Sequence, residues 1–223
     1  MLPWLVVLSL VLIIPGIVYA LAFVPPEKYQ GDSYRIMYIH VPAASIAMGG
    51  YAMMAIAGVV VLVWRMKMAE MVAKSVAPIG ASFAFICLIT GSIWGKPTWG
   101  TWWVWDARLT SMLVLLFLYL GVIALNSAIE NAQSAARATA LLSIVGAVNL
   151  PIIKYSVDWW NTLHQPASIK MTSSAMAPEM LFTLLTCMGG FYCLFGVLLL
   201  MATRCEILQR EQRSRWVKQL ISR

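Results

Sequence analysis

Six stretches of this chain are apolar for about the 20 residues a helix needs to cross the hydrocarbon core of a bilayer. They fall near residues 3–24, 41–64, 76–94, 109–126, 138–155 and 178–202, and leave little sequence for anything else. Backbone in lipid must satisfy its own hydrogen bonds, so these spans are predicted to be helices and not open sheet. The fold class that follows is all-α: a polytopic membrane protein of six transmembrane helices. Charged residues make up 11% of the chain, against about 25% in soluble domains. No polar stretch is long enough for a soluble domain, and there is no internal repeat. The expected organisation is a transmembrane domain over 1–203 and a basic tail over 204–223.

The connections sort their charges by side. Loops 65–75 and 127–137 and the tail hold ten basic residues, among them Arg65, Lys67, Lys74, Arg137 and Arg210, against four acids, Glu70, Glu130, Glu206 and Glu211. The other side holds Lys28, Arg35, Lys96, Arg108, Lys154 and Lys170 against Glu27, Asp32, Asp106, Asp158 and Glu179. By the positive-inside rule both termini are expected in the cytoplasm and the second set of loops outside, which in a Gram-negative bacterium is the periplasm. Ala20-Leu21-Ala22 has the small-x-small form of a signal-peptidase site, but the segment before it lacks a basic leader and its apolar run is too long. Six retained spans is the expected topology. In the tail, Ile207, Leu208, Trp216, Val217, Leu220 and Ile221 recur among basic residues with roughly helical spacing, as in a helix lying on anionic lipid or docking a cytoplasmic partner.

Much chemistry is excluded. Cys87, Cys187 and Cys193 lie within predicted spans and Cys205 at a span end; none forms Cys-x-x-Cys or Cys-x-x-Cys-His, so thiol–disulfide exchange and covalent haem attachment to this chain have no motif. As buried cysteines they read as small apolar residues. Gly91-Ser-Ile-Trp-Gly95-Lys96 is one residue too short for a phosphate-binding loop, and Pro97 stands where Ser or Thr is needed. The chain therefore reads as a non-enzymatic subunit with no ATPase motif of its own, and no nucleic-acid partner is expected.

The outward loops carry the functional signal. Seven of the ten tryptophans and both histidines, His40 and His164, fall there. Trp94, Trp99, Trp102, Trp103 and Trp105 place five indoles within twelve residues. Interfacial tryptophans are ordinary in membrane proteins, which accounts for Trp4, Trp64 and Trp216 but not for this concentration. Gly95, Pro97 and Gly100 are expected to bend the chain between the indoles, giving a surface loop. Indole packs on planar apolar rings and imidazole ligates iron, so the combination points to haem or another large aromatic ligand. His40 precedes Val41-Pro42, where proline is expected to open span two. His164 lies before span six, and the two imidazoles are expected at similar depth, as axial ligands of one iron. Asp106 suits a helix N-cap. Arg108 sits at the unfavourable end of the helix dipole, which suggests an anionic partner such as a propionate; Arg35 could serve likewise or be a solvated loop residue. Asn149 and Pro151 mark span five as polar and bent.

Trp94-Gly-Lys-Pro-Thr-Trp-Gly-Thr-Trp-Trp-Val-Trp-Asp106-Ala-Arg-Leu-Thr110 resembles the WWD signature of membrane haem-handling proteins. With Tyr34-Arg-Ile-Met-Tyr-Ile-His40 and Tyr155-Ser-Val-Asp-Trp-Trp-Asn-Thr-Leu-His164-Gln165, nearly the whole chain resembles the CcmC family of haem-delivery subunits in cytochrome c maturation. The resemblance implies that haem b is held outside the inner membrane between His40 and His164, against Trp94, Trp99, Trp102, Trp103, Trp105 and Asp106. It implies delivery of that haem to the periplasmic chaperone CcmE, alongside the small membrane protein CcmD and the CcmA–CcmB ABC transporter, in the lipid bilayer. Two other classes are open to a chain of this composition. A scaffold subunit without a ligand would show no haem spectrum. A small-solute transporter would need ionisable groups at mid-membrane, where the spans offer only Asn149.

Overall fold

A computed structural model describes residues 2–160, 162–164 and 176–221; Asn161, Gln165, Lys170 and Arg223 lie outside them. The described residues are helical throughout apart from short turns and one isolated bridge, Glu27 to Gly31. The helices are α1 (Leu2–Ala22), α2 (Met37–Trp64), α3 (Lys67–Trp99), α4 (Ala107–Ala128), α5 (Ala132–Gly146), α6 (Asn149–Trp159), α7 (Pro178–Arg210) and α8 (Arg215–Ile221), with a 3₁₀ turn over Asp32–Ile36 ahead of α2. Six segments are long and apolar enough to cross a membrane, α5 and α6 counting together as one. This is the all-α architecture that the apolar pattern predicts.

The helices divide into a bundle of α2 to α6 and a pair, α1 with α7, laid against α2 and α3. Close approach depends on small residues at the contacts. In the pair, a Cβ on Gly16 would meet Cys187 Sγ at 2.9 Å and one on Gly190 would meet Ile13 Cγ1 at 2.7 Å. In the bundle the core centres on Tyr51 and Tyr119, both fully buried and edge-to-face with centroids 5.0 Å apart. A buried phenol needs a partner. Tyr119 donates to the Ala47 carbonyl at 2.7 Å, and Tyr51 to the Leu142 carbonyl at 3.3 Å. Large apolar side chains such as Val11, Phe85, Phe117 and Phe182 stay exposed on the perimeter, as expected where the surrounding solvent is lipid.

Several boundaries differ from the sequence reading: α3 begins at Lys67 and α5 at Ala132, inside the stretches expected to be loops. Pro42 does not open α2; the helix starts at Met37, so His40 lies in its first turn. α3 does not end at Trp94 but runs through Gly95 and Pro97 to Trp99. Proline near a helix end removes one hydrogen bond from a ladder that is about to stop anyway, and Thr98 Oγ1 donates to the Trp94 carbonyl at 2.8 Å nearby. Gly100, at φ 78°, then terminates the helix in the left-handed conformation, with its N–H on the Lys96 carbonyl. α7 likewise continues past 202 to Arg210, held to α3 by Lys74–Glu206 (2.7 Å) and Arg210–Glu70 (3.1 Å). α8 follows after a turn, with Val217 fully buried.

Span five is broken as Asn149 and Pro151 suggest. Pro151 cannot donate and clashes with the carbonyl four residues earlier, so the chain passes through a tight turn at 147–148 before α6. Asn149 Nδ2 donates to the Ser111 carbonyl of α4 at 2.8 Å, fixing the kink against its neighbour. The kink sets the direction of α6, which carries Lys154, Ser156 and Trp159 toward the tryptophan-rich end.

Candidate functional site

His40 packs against one face of α3, where Cys87, Thr90, Gly91 and Trp94 repeat at helical spacing. Its Nδ1 lies 3.0 Å from Thr90 Oγ1. The Thr90 hydroxyl itself donates to the carbonyls of Ile86 (2.7 Å) and Cys87 (3.1 Å). Its oxygen is therefore the acceptor toward His40, which puts the imidazole proton on Nδ1 and the lone pair on Nε2. That Nε2 lies 3.9 Å from Cys87 Sγ, a weak thiol donor. Gly91 is what admits the ring: a Cβ there would meet His40 Cε1 at 3.0 Å. Trp94 closes the edge, T-shaped at 5.8 Å, and its Nε1 donates to Gln30 Oε1 at 2.8 Å, tying the indole to the turn before α2.

His164 is built the same way from different parts. Its Nδ1 lies 3.0 Å from Asp106 Oδ2, and the other carboxylate oxygen of Asp106 accepts from Leu109 N at 2.8 Å as the N-cap of α4. One buried carboxylate thus starts the helix and orients the imidazole. Burial lowers the His164 pKa, Asp106 acting in the opposite sense and Arg108 adding to the lowering, so the ring is neutral at pH 7. A neutral ring donating from Nδ1 leaves Nε2 free as a ligand, the arrangement metal-binding histidines adopt with a carboxylate behind them. Trp99 lies 4.7 Å from His164, edge-on. Gly95 lets that indole lie along α3, since a Cβ there would touch Trp99 Cε3 at 3.0 Å.

Both imidazoles border the tryptophan-bearing end of α3, His40 at Trp94 and His164 at Trp99. His40 contacts α3 between Cys87 and Trp94, and His164 meets the Trp99 ring, which lies back along α3 over Gly95. His40 belongs to a helix that starts earlier than its proline suggests.

The remaining predicted residues divide. Trp102 and Trp105 are exposed, at 57% and 76%. Lys96 Nζ stands 6.0 Å over the Trp102 ring, and Trp105 lies edge-on to Trp103 at 5.4 Å. The Trp103 Nε1 is buried with no hydrogen-bond partner among the described residues. Only residues 100–106 form a loop, so Trp94 and Trp99 stand on α3, Trp102, Trp103 and Trp105 on the loop, and the helix continues through Gly95 and Pro97. Arg108 Nε donates to Ser156 Oγ (3.2 Å) and Nη2 to the Lys154 carbonyl (3.4 Å), which fastens α4 to α6 and leaves Nη1 without a hydrogen-bond partner among the described residues. Arg35 bonds Asp32 at 2.9 Å, donates to the Ala20 carbonyl at the end of α1 and lies over Tyr34. It closes the α1–α2 connection and is engaged there instead of standing solvated. Gln30, Cys87, Thr90, Gly91 and Ser156 were not singled out as site residues from sequence. The i, i+3, i+4, i+7 spacing of Cys87, Thr90, Gly91 and Trp94 was a usable signal for one helix face, but nothing in it names His40 as the opposite party.

A family model described as heme exporter protein C, CcmC, matches residues 1–218. This chain belongs to that family. Heme exporter protein C of Escherichia coli K12 is 54% identical over 219 residues, covering 98% of this chain and 89% of the relative. Its counterpart in Haemophilus influenzae is 52% identical over 96% of this chain and 87% of the relative. A putative cytochrome c biosynthesis ccmC-like mitochondrial protein of Marchantia polymorpha is 42% identical over 86% of this chain and 82% of the relative. The heme exporter C resemblance thus spans all six membrane segments and both histidine neighbourhoods.

Proposed function

We propose that this chain is a haem-delivery subunit of cytochrome c biogenesis: it holds haem b at the periplasmic face of the inner membrane and passes it to the chaperone CcmE. The observation that carries this reading is the pair of imidazoles with matched second partners. Thr90 and Asp106 each accept a hydrogen bond from an Nδ1–H, which leaves two Nε2 lone pairs in one neighbourhood walled by Trp94 and Trp99. Two neutral imidazoles suit a six-coordinate haem iron, and indoles suit the faces and edges of the ring. Haem is cargo here, not a resident group. His40 must turn its Nε2 from Cys87 toward the iron, and that sulfur contact is weak enough to exchange. The ring's carboxylates would find donors in Arg108 Nη1 and in Trp103 Nε1, whose burial without a partner costs about 1–3 kcal/mol until an acceptor arrives.

The exposed Trp102 and Trp105 support presentation to a second protein, because a site built only for retention would bury them. The names of the relatives, heme exporter and cytochrome c biosynthesis, support that pathway; CcmD and the CcmA–CcmB transporter are the partners we propose for it, with both termini cytoplasmic. A basic tail over 204–223 is read as an anchor that does no chemistry. The test is the absorption and magnetic circular dichroism of purified protein with haem. Bis-imidazole, six-coordinate spectra are expected. His40→Ala and His164→Ala should each give five-coordinate or weakly held haem, partly restored by added imidazole. Unchanged spectra in both variants would falsify the ligand pair.

A further inference from the structure

At the end of the bundle away from the tryptophans, the termini of α2, α3, α5 and α7 surround a cavity of about 390 Å³, within the range of about 300–1,000 Å³ typical of small-ligand sites. Arg65, Lys67, Arg137 and Arg210 line it with one acid, Glu70. Glu70 is taken by Arg210 at 3.1 Å. Arg65, Lys67 and Arg137 make no side-chain hydrogen bond or ion pair among the described residues. Two further features add positive potential. α3 begins at Lys67 with no side-chain cap on its first N–H groups. Arg65, at φ 53°, is the one non-glycine residue at positive φ among the described residues. It ends α2 where glycine is the usual choice, and an arginine kept in that conformation points to a use for its guanidinium.

We propose that this cavity binds the phosphate of an anionic phospholipid headgroup from the leaflet at the basic end of the protein. Its depth fits. Trp64, next to Arg65, is 64% exposed, and Met66 and Met68 beside it are exposed too, the amphipathic composition of the headgroup level. The lining fits as well. Its apolar members, Val61, Met66, Ala132 and Ala136, are aliphatic, so no ring is present to stack on a nucleobase. A lipid brings its own acyl chains, which can lie along the exposed Val63 and Trp64. Convergent cations between membrane helices recognise phosphate headgroups by direct charge-assisted hydrogen bonds.

The test uses the full chain in phosphatidylcholine nanodiscs, with phosphatidylglycerol added stepwise and retained lipid read by native mass spectrometry. Phosphatidylglycerol should be retained over phosphatidylcholine, and less so as salt rises. The triple exchange Arg65→Gln, Lys67→Gln and Arg137→Gln should weaken retention by about fivefold per cation, on the order of a hundredfold together. Arg65→Gly gives an independent reading that does not depend on the triple variant inserting. Relief of the left-handed backbone should raise the melting temperature without the lipid, while phosphatidylglycerol retention falls. Inorganic phosphate and ATP are offered as competitors at matched phosphate concentration. Equal retention of the two lipids, a triple variant that holds phosphatidylglycerol as well as the parent, or displacement by inorganic phosphate or ATP would overturn the proposal; the last would mark a soluble phosphate ligand.

Discussion

Asp106→Asn separates the two jobs of one carboxylate. Asparagine caps helices about as well as aspartate, so Leu109 N keeps an acceptor and α4 should start as before. On the other side, the amide NH2 stands where Oδ2 now accepts from His164 Nδ1 at 3.0 Å. A donor facing a donor forces the imidazole proton to Nε2, and the lone pair needed by iron is gone. If the amide turns over, it satisfies His164 but sets its NH2 against Leu109 N, losing a cap of about 0.5–2 kcal/mol. Loss of an outer-shell partner of a ligating histidine costs about 10–100-fold in affinity, or about 1.4–2.7 kcal/mol. Asp106→Ala removes both roles at once, the second a hydrogen bond to a charged group worth about 1.5–3 kcal/mol. In a chain of this length about 1 kcal/mol moves the melting temperature by about 2–4 °C. The expected pattern is an asparagine variant with near-parent stability and weak haem, and an alanine variant weak in both. Thermal unfolding of the haem-free chain and haem loss to an excess of a scavenging apoprotein measure the two quantities. If the asparagine variant keeps six-coordinate haem with the parent's off-rate, Asp106 is only a cap and the tautomer argument fails.

Other outcomes follow from single contacts. Gly91→Ala puts a methyl 3.0 Å from His40 Cε1, so the imidazole should be displaced and six-coordinate haem lost while the helical circular dichroism stays intact; retained bis-imidazole spectra would show that the ring has room. Trp102→Ala removes an exposed indole and should lower covalent haem on co-expressed acceptor more than haem on the chain itself; strictly proportional loss would reduce the loop to a pocket wall. Because burial depresses the His164 pKa, the folded chain favours the neutral ring more than the unfolded one does. That stability is present above the ordinary value of 6.5 and lost as pH falls from there through the depressed folded value. The melting temperature of the haem-free chain should thus be flat above pH 7 and fall below about pH 6, and His164→Gln should remove part of that slope; an unaltered slope would mean the ring is solvated.

Asn149 and Pro151 announced the break in span five because proline's missing donor acts locally. Asp106 announced the α4 cap for the same reason. Pro97 misled, since its effect depends on how much helix is left, and Gly100 rather than Gly95 ends α3. Pro42 misled as well: a 3₁₀ turn held by Arg35 and Tyr34 starts α2 before it. Arg108 was expected to hold an anion, and two of its nitrogens are given to α6, a partner that exists only after the kink has aimed that helix.

The sequence by itself determined six membrane segments, the charge asymmetry of their connections, and the residue types of the site, because apolar length, charge and side-chain chemistry are properties of short stretches. Tertiary structure alone decided that Thr90 stands behind His40 and Asp106 behind His164, fifty and fifty-eight residues away. Those pairings depend on which faces of α2, α3 and α4 meet, and small residues such as Gly91 and Gly95 set that meeting by the space they leave. Which imidazole nitrogen carries a proton is fixed by the hydrogen-bond partner, and that partner is supplied by packing.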